Sequence, residues 1–228
     1  MEVIILAGGL GTRLKGYTNG LPKPMISVAG RPFLEIILDR LLDTGFKEIC
    51  LAVSYKAEII KNYFGNNYKG ISLNYSIEET PLGTGGAIQQ AINHLSGNDI
   101  FVLNGDTLVD INYHEMMKFH KKNNAELSIA TYRMSNYDRY GTVTSDEQHR
   151  ISAFIEKQAT KEGAINAGTY LIKRSIFDSF SFPEMFSFEA DLMEKEVNNL
   201  LEYAFLTEGY FIDIGVPEDL QKANRELA

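Results

Sequence analysis

Short apolar runs alternate with amphipathic segments along the first 132 residues of the chain. The amphipathic segments repeat apolar side chains at helical spacing, as Phe33, Ile36 and Ile37 do, whereas the short apolar runs are typical of buried strands. The predicted strands are residues 2–7, 48–53, 71–77, 99–103 and 126–132. The predicted helices are residues 33–42, 57–64, 86–95 and 113–123. Strands separated by helices indicate βαβ units and a mainly parallel sheet.

The second half of the chain is richer in short strands. The predicted strands here are residues 141–144, 151–155, 167–172 and 203–206, and the predicted helices are residues 189–200 and 217–226. No internal repeat or Pro/Ser-rich linker divides the chain, so residues 1–228 are expected to form one α/β domain. Parallel α/β sheets bind ligands beyond the carboxyl ends of their strands. The loops after Ala7, Ile77 and Leu103 should therefore share one ligand-binding edge.

Composition and charge exclude several classes of protein. No apolar run approaches the roughly 20 residues that cross a bilayer, and no export signal precedes the first strand. We therefore expect a cytoplasmic protein with no membrane partner. The net charge of −8 argues against nucleic acid as a partner. An acidic protein that binds anions must do so with a local cluster of Lys, Arg, backbone N–H groups and metal.

A glycine-rich loop follows the first strand and carries the first sign of phosphate chemistry. Gly8, Gly9 and Gly11 let the backbone approach a ligand closely, and Arg13 follows with a guanidinium suited to phosphate. Lys23 lies between two prolines that restrict the local backbone. The loop does not match a Rossmann fingerprint, because no third glycine opens a helix directly after it. It does not match a P-loop either, because Gly-Lys-Ser/Thr is absent.

The motifs, taken in order, resemble the sugar-phosphate nucleotidyltransferase family. The resemblance covers nearly the whole chain and rests on LAGGLGTRL (6–14), LPKPM (21–25), PLGTGG (81–86), NGD (104–106), FIEK (154–157), NAG (166–168) and DIG (213–215). It implies a Rossmann-like α/β fold with a mainly parallel mixed sheet, flanking helices and a small antiparallel sugar-binding part. It also implies that a sugar 1-phosphate attacks the α-phosphorus of a nucleoside triphosphate, releasing pyrophosphate.

The resemblance also assigns site residues. Arg13, Lys23 and Asp106 are the expected catalytic residues, and Asp106 with Asp213 is expected to bind Mg²⁺. The expected nucleotide-binding residues are Leu6, Ala7, Gly8, Gly9, Gly11, Thr12, Arg13, Lys23, Glu78, Gly83 and Asp106. The expected sugar-phosphate-binding residues are Gly141, Glu156, Lys157 and Asn166. The alternatives are a solvated surface lysine at Lys23, capping or turn roles for the two aspartates, and an exposed charge pair at 156–157.

The base is expected to be read at Glu78, with Glu79 as the alternative for the same task. A carboxylate only accepts hydrogen bonds, and guanine offers two adjacent donors, so Glu78 favours GTP over a pyrimidine nucleotide. Within the family, the pattern is most similar to guanylyltransferases that use a heptose 1-phosphate and supply surface polysaccharide synthesis. Mannose 1-phosphate guanylyltransferases are the nearest alternative, and sugar 1-phosphate uridylyl- or thymidylyltransferases are a further one.

Two other classes of function stay open. A sugar-nucleotide sensor with a decayed site is disfavoured because the expected site residues are all present, namely Arg13, Lys23, Asp106, Lys157 and Asp213. A glycosyltransferase is disfavoured because no Asp-x-Asp follows Asp106. A homo-oligomer is possible on this sequence and is not decided by it.

Overall fold

The chain forms one mixed sheet with helices packed on both faces. The computed structural model describes residues 1–9, 11–14, 16–18, 20–155 and 159–228, apart from the side chain of residue 12. The strands are β1 (Glu2–Leu6), β2 (Ser27–Val28), β3 (Arg31–Pro32), β4 (Glu48–Val53), β5 (Asn67–Tyr68), β6 (Ile71–Ile77), β7 (Asp99–Asn104), β8 (Thr107–Val109), β9 (Leu127–Tyr137), β10 (Thr142–Ser145), β11 (Ile151–Ile155), β12 (Thr160–Lys173), β13 (Glu202–Thr207) and β14 (Phe211–Asp213). The helices are α1 (Phe33–Leu41), α2 (Ala57–Phe64), α3 (Gly83–Ala91), α4 (Tyr113–Lys122), α5 (Pro217–Glu226) and a π-helix (Phe188–Glu194).

The centre of the sheet is parallel, and its extension through β12 is antiparallel except at its end, where β13 pairs with β9 in parallel. Strands β7, β1, β4 and β6 lie side by side, and each adjacent pair is parallel. Strand β12 then pairs antiparallel with β7, β9 and β10, and β10 pairs antiparallel with β11. Strands β8 and β14 form a separate antiparallel pair. The predicted α/β class, with its mainly parallel sheet and small antiparallel part, is confirmed.

The central strands are apolar because both faces of the sheet are covered. In β1, Val3 and Ile5 pack into one hydrophobic cluster and Ile4 packs into the other. Successive side chains of a strand point to opposite faces, so a strand between two helical layers needs apolar residues at every position. The first cluster takes apolar residues from α1, α2, α4 and α5, and the second takes them from α3 and the π-helix.

Several predicted boundaries differ from the structure. The predicted helix 86–95 begins earlier, at Gly83, and its regular part ends at Ala91. The predicted strand 167–172 is part of the longer β12. The predicted helix 189–200 is wrong beyond Glu194, and the residues before that point form a π-helix instead. Phe188 and Met193, five residues apart, are both buried, and the wider π turn places residues at that spacing on one face.

Within the described residues, no helix is both long and apolar enough to cross a membrane.

A buried carboxyl group lies in β13. Glu202 is fully buried, and neither of its carboxyl oxygens has a hydrogen-bond partner in the described part of the chain. Burial raises the pKa of Glu202 to about 8, against an opposing effect of Arg150. The folded protein therefore holds a proton on Glu202 that the unfolded chain, with a value of 4.5, releases. The stability of the fold that depends on a protonated Glu202 is fully present below about pH 4.5 and is lost as the pH rises through about 8.

Replacing Glu202 with Gln should remove this pH dependence. We expect the midpoint of thermal unfolding of Glu202→Gln to exceed that of the wild type by an amount that grows between about pH 5 and about pH 8.5. The unfolded wild-type chain releases the Glu202 proton in this range whereas the folded chain retains it, and glutamine has no such proton. Thermal unfolding followed by circular dichroism measures this. The matched control is Glu208→Gln, an exposed carboxyl group six residues further along. Parallel pH profiles for Glu202→Gln and wild type would contradict the prediction.

Candidate active site

The predicted convergence of loops at one sheet edge is confirmed. Because β1, β6 and β7 run in the same direction, their carboxyl ends lie together. A cavity of about 320 Å³ opens at this edge. It is lined by Leu6, Gly8, Gly9, Lys23, Pro24, Ala52, Glu78, Gly83, Thr84, Ala87, Asn104, Gly105, Asp106 and Glu189. Most of the residues expected to bind a nucleotide thus surround one space.

Two glycines at this edge disfavour any side chain, Gly105 because of a close backbone approach and Gly11 because of its positive φ and the neighbouring Lys23 side chain. The Gly105 N–H donates to the Leu6 carbonyl at 2.9 Å, and a Cβ at Gly105 would lie 2.6 Å from that same oxygen. Gly11 has a φ of +62°, and a Cβ there would lie 3.2 Å from the Cβ of Lys23. Gly11 therefore packs on the stem of Lys23 and Ala7 is fully buried, so neither lines the cavity directly.

Lys23 is held inside the cavity by its backbone and by an ion pair. Its N–H donates to the Gly9 carbonyl at 3.4 Å, and its side chain is only 9% exposed. The Lys23 ammonium donates to the Asp106 carboxylate in a short ion pair. The alternative of a solvated surface lysine is excluded by this burial.

A second carboxylate lies beside Asp106 because β8 and β14 pair. Asp213 is the register partner of Thr107, and the Ile214 N–H donates to the Asp106 carbonyl at 3.0 Å. Burial, and then the charge of Asp106, raise the pKa of Asp213 to about 6, whereas Lys23, the Gly215 N–H and Arg139 oppose this shift. Burial, the largest cause, disfavours the charged form of Asp213, and the neighbouring carboxylate of Asp106 adds to that effect.

Among the described residues, Asp106 and Asp213 are the adjacent carboxylates at this position. Across the described ranges, no cluster of three or more His, Cys, Asp or Glu side chains is arranged to hold a metal ion. A divalent ion here would therefore depend on two carboxylates and on oxygens from elsewhere. Two adjacent carboxylates in a partly buried position are a chemically suitable donor pair for a hard cation.

Glu78 faces the cavity, whereas Glu79 is exposed and does not line it. The Leu82 N–H donates to one carboxylate oxygen of Glu78 at 3.2 Å. A Cβ at Gly8 would lie 3.1 Å from the other oxygen, so Gly8 leaves the space in front of that acceptor open. Burial raises the pKa of Glu78, against an opposing effect of the Leu82 N–H.

A second cavity of about 370 Å³ adjoins the first. The two share Thr84, Asn104, Asp106 and Glu189 as common walls. The rest of the second cavity is lined by Arg13, Thr107, Arg139, Tyr140, Gly141, Asn166, Gly168, Tyr170, Ser187, Phe211 and Asp213. The exposed side chain of Arg13 thus lies on the second cavity and not on the first. Together the two spaces form one cleft with Asp106 at its centre.

The expected sugar-phosphate residues that the structure describes line this second cavity. The Asn166 N–H donates to the Gly141 carbonyl at 2.9 Å, and the Asn166 side chain donates to the Tyr170 hydroxyl at 2.8 Å. Glu156 and Lys157 lie outside the described residues, as does the side chain of Thr12.

Sequence reasoning missed two charged residues that line the cleft. Arg139 donates to the Asp219 carboxylate and, at 3.2 Å, to the Tyr140 hydroxyl. Glu189 lies on the wall that the two cavities share. The run RYGTV (139–143) was a signal for Arg139, but nothing near Glu189 in the sequence distinguished it from the other acids of its segment.

Comparison with known proteins gives consistent matches over the full length. The family model described as nucleotidyl transferase matches residues 2–228. A D-glycero-α-D-manno-heptose 1-phosphate guanylyltransferase of Aneurinibacillus thermoaerophilus is 45% identical over 227 residues, covering 100% of this chain and 98% of the relative. The enzyme of the same name from Campylobacter jejuni is 47% identical over 219 residues, covering 96% of each chain. The crystal structure of HddC from Yersinia pseudotuberculosis complexed with GMP-PN is 36% identical, with a TM-score of 0.88 over 100% of this chain and 99% of that one.

Proposed function

The chain belongs to the nucleotidyl transferase family, and from this premise we propose that it transfers GMP from GTP to D-glycero-α-D-manno-heptose 1-phosphate. The products are the GDP-sugar and pyrophosphate. The proposal is supported by full-length similarity to two heptose 1-phosphate guanylyltransferases. The single observation that carries it is the double cleft, in which Lys23, Asp106 and Asp213 converge where the two cavities meet.

The chemistry requires two anions to be brought together. A phosphate oxygen of the sugar 1-phosphate attacks the α-phosphorus of GTP, and pyrophosphate leaves from the opposite side. No covalent intermediate is required, so catalysis rests on alignment and on stabilisation of the charge that spreads over the transferring group. The buried ammonium of Lys23 lies where the two cavities meet and would stabilise that charge. The Gly8–Gly9 backbone would hold the triphosphate, and Arg13, which lines the second cavity, would contact phosphate oxygens from that side.

Mg²⁺ fits the donor pair at the centre of the cleft. Asp106 and Asp213 would hold the ion, and phosphate oxygens and water would complete its shell. When bound, Mg²⁺ would neutralise phosphate charge and help align the two substrates. Asp106 is paired with the Lys23 ammonium in this structure, so a bound ion would share this carboxylate with Lys23 or displace it.

The guanine preference is assigned to Glu78. Its carboxylate faces the cavity, one oxygen accepts the Leu82 N–H, and the other faces Gly8. Guanine presents N1–H and its 2-amino group side by side, and a carboxylate can accept both. A pyrimidine offers a mixed edge that leaves at least one acceptor opposed, which favours GTP over UTP and dTTP.

Mannose 1-phosphate is the alternative sugar substrate, because mannose 1-phosphate guanylyltransferases are also similar to this chain. The enzyme of that name from Mycobacterium tuberculosis is 32% identical over 231 residues, although the chain covers only 64% of it. On the proposed function, the GDP-sugar product would be a sugar donor in the cytoplasm for surface polysaccharide synthesis. A homo-oligomer of this chain stays a prediction.

Pyrophosphate release tests the proposed function. We expect release with GTP and the heptose 1-phosphate that requires Mg²⁺ and falls at least about 100-fold in Asp213→Asn, because one carboxylate is lost from a charge-dominated site. An enzyme-coupled phosphate assay after pyrophosphatase treatment measures it. The matched control is Asp178→Asn, an exposed aspartate, which should retain wild-type rates.

Each other outcome of the pyrophosphate assay has a defined meaning. Faster release with mannose 1-phosphate would keep the guanylyl transfer and replace the sugar. Faster release with UTP, dTTP or CTP would overturn the guanine assignment. Nucleotide binding without release from any sugar 1-phosphate would favour the sugar-nucleotide sensor.

The role of Glu78 has its own test. Glu78→Gln should lower the ratio of kcat/KM for GTP to that for UTP by about 10- to 100-fold, the size expected when hydrogen bonds to a charged acceptor are lost. Steady-state kinetics with each nucleotide at saturating sugar 1-phosphate measure the ratio. Glu79→Gln serves as the control because Glu79 is exposed outside the cavity. An unchanged ratio in Glu78→Gln, or an equal change in Glu79→Gln, would refute the assignment.

A further inference from the structure

We infer that Glu189 is a sugar-binding residue that accepts hydroxyl groups of the sugar and thereby sets which way the sugar 1-phosphate lies in the cleft. The inference rests on the proposed function, and it names a specificity residue that the sequence did not reveal. Glu189 is half-buried and lines both cavities, so its carboxylate lies between the space assigned to the nucleotide and the space assigned to the sugar.

The backbone around Glu189 is unusual and well anchored. Glu189 is the second residue of the π-helix Phe188–Glu194, and the Ser187 hydroxyl accepts the Ala190 N–H at 3.1 Å at its start. Single turns of π-helix are frequent at functional sites, because the widened turn changes the direction of a side chain. Here the first turn presents Glu189 to the cleft, whereas Glu194 at the far end is exposed to solvent.

In the described part of the chain, the Glu189 carboxylate accepts its side-chain hydrogen bonds from hydroxyl groups. One oxygen accepts the Thr84 hydroxyl at 2.6 Å and the Ser187 hydroxyl at 3.2 Å. The other oxygen accepts the Tyr170 hydroxyl at 3.3 Å. An ionised carboxylate has room for about four hydrogen bonds, so at least one acceptor position remains for a ligand.

Within the described residues, no cation is paired with the charge of Glu189. Among the ion pairs of the described residues, Glu189 takes part in none, in contrast to Asp106 with Lys23 and Asp219 with Arg139. A carboxylate without a cation repels phosphate and accepts hydroxyl donors. The hydroxyl-bearing part of the substrate therefore belongs at Glu189, and its phosphate belongs at the other end of the shared wall, near Lys23.

Glu189 is also fixed relative to the nucleotide cavity. The Phe188 N–H donates to the Thr84 hydroxyl at 2.9 Å, and Thr84 is the second residue of α3. Two backbone hydrogen bonds join the start of α3 to the segment before the π-helix. The Gly85 N–H donates to the Phe186 carbonyl and the Phe186 N–H donates to the Leu82 carbonyl, each at 3.0 Å. A sugar held by Glu189 would therefore sit at a set distance from a nucleotide held against α3, as in-line attack requires.

A purely structural role is the competing explanation, because Glu189 also ties the π-helix to α3. The two roles differ in what Glu189→Gln changes. Gln keeps an oxygen that can accept from Thr84 and Ser187, so the docking of the two segments is retained. It removes the negative charge, so hydrogen bonds to sugar hydroxyls are weakened.

The experiment compares Glu189→Gln, Glu189→Asp and the control Glu194→Gln in steady-state kinetics with GTP and the heptose 1-phosphate. We expect the two Glu189 variants to raise the KM for the sugar 1-phosphate about tenfold or more. The Kd for GTP, measured by calorimetry, should stay within about twofold of the wild type. Analogues of the sugar 1-phosphate that each lack one ring hydroxyl provide the second readout. If Glu189 accepts a hydrogen bond from one of these hydroxyls, removing that hydroxyl should raise the KM of the wild type more than the KM of Glu189→Gln, because the variant has already lost part of the same bond.

The outcomes separate this inference from the proposed function. An unchanged sugar KM in the Glu189 variants would overturn it, as would a loss of GTP affinity and thermal stability in parallel with the loss of sugar affinity. An increase in KM on loss of a hydroxyl that is the same in wild type and Glu189→Gln for every analogue would overturn it as well. Absence of turnover by the wild type with any sugar 1-phosphate would instead overturn the proposed function, and this inference with it.

Discussion

The site depends on one electrostatic constraint, which is that two carboxylates must share a partly buried position. Burial and the neighbouring charge of Asp106 together raise the pKa of Asp213 to about 6. Lys23 supplies one positive charge through its ion pair with Asp106, so two ionised carboxylates beside it leave a net negative charge. A site with excess negative charge attracts a further cation, and a cation bound there attracts phosphate. In this way a chain with a net charge of −8 can bind two phosphate substrates.

The fold meets this constraint by bringing distant segments to one sheet edge. Parallel pairing of β1, β6 and β7 places the glycine loop, Glu78 and Asp106 together. The β8–β14 pair adds Asp213 from the far end of the chain. The docking of the π-helix on α3 adds Glu189, with Thr84 as the connecting residue. The proposed nucleotide, metal and sugar contacts therefore share one rigid framework.

Periodicity predicted the elements whose burial pattern is regular. Both-face burial explains the apolar central strands, and α1 and α2 were predicted to within one residue of their observed ends. The π-helix was not predicted, because Phe188 and Leu192 are also buried at the four-residue spacing of an ordinary helix. The family motifs indicated Lys23, Asp106 and Asp213. Glu189 was missed because its partner Thr84 is 105 residues away, and only tertiary packing joins them.

The most direct measurement is a crystal structure with Mn²⁺ and a non-hydrolysable GTP analogue, in which anomalous scattering locates the metal. The account predicts a Mn²⁺ peak bound by both Asp106 and Asp213, with the Lys23 ammonium moved from Asp106 onto a phosphate oxygen. A Mn²⁺ ion bound to neither aspartate, with the ion pair between Lys23 and Asp106 intact beside the nucleotide, would contradict it.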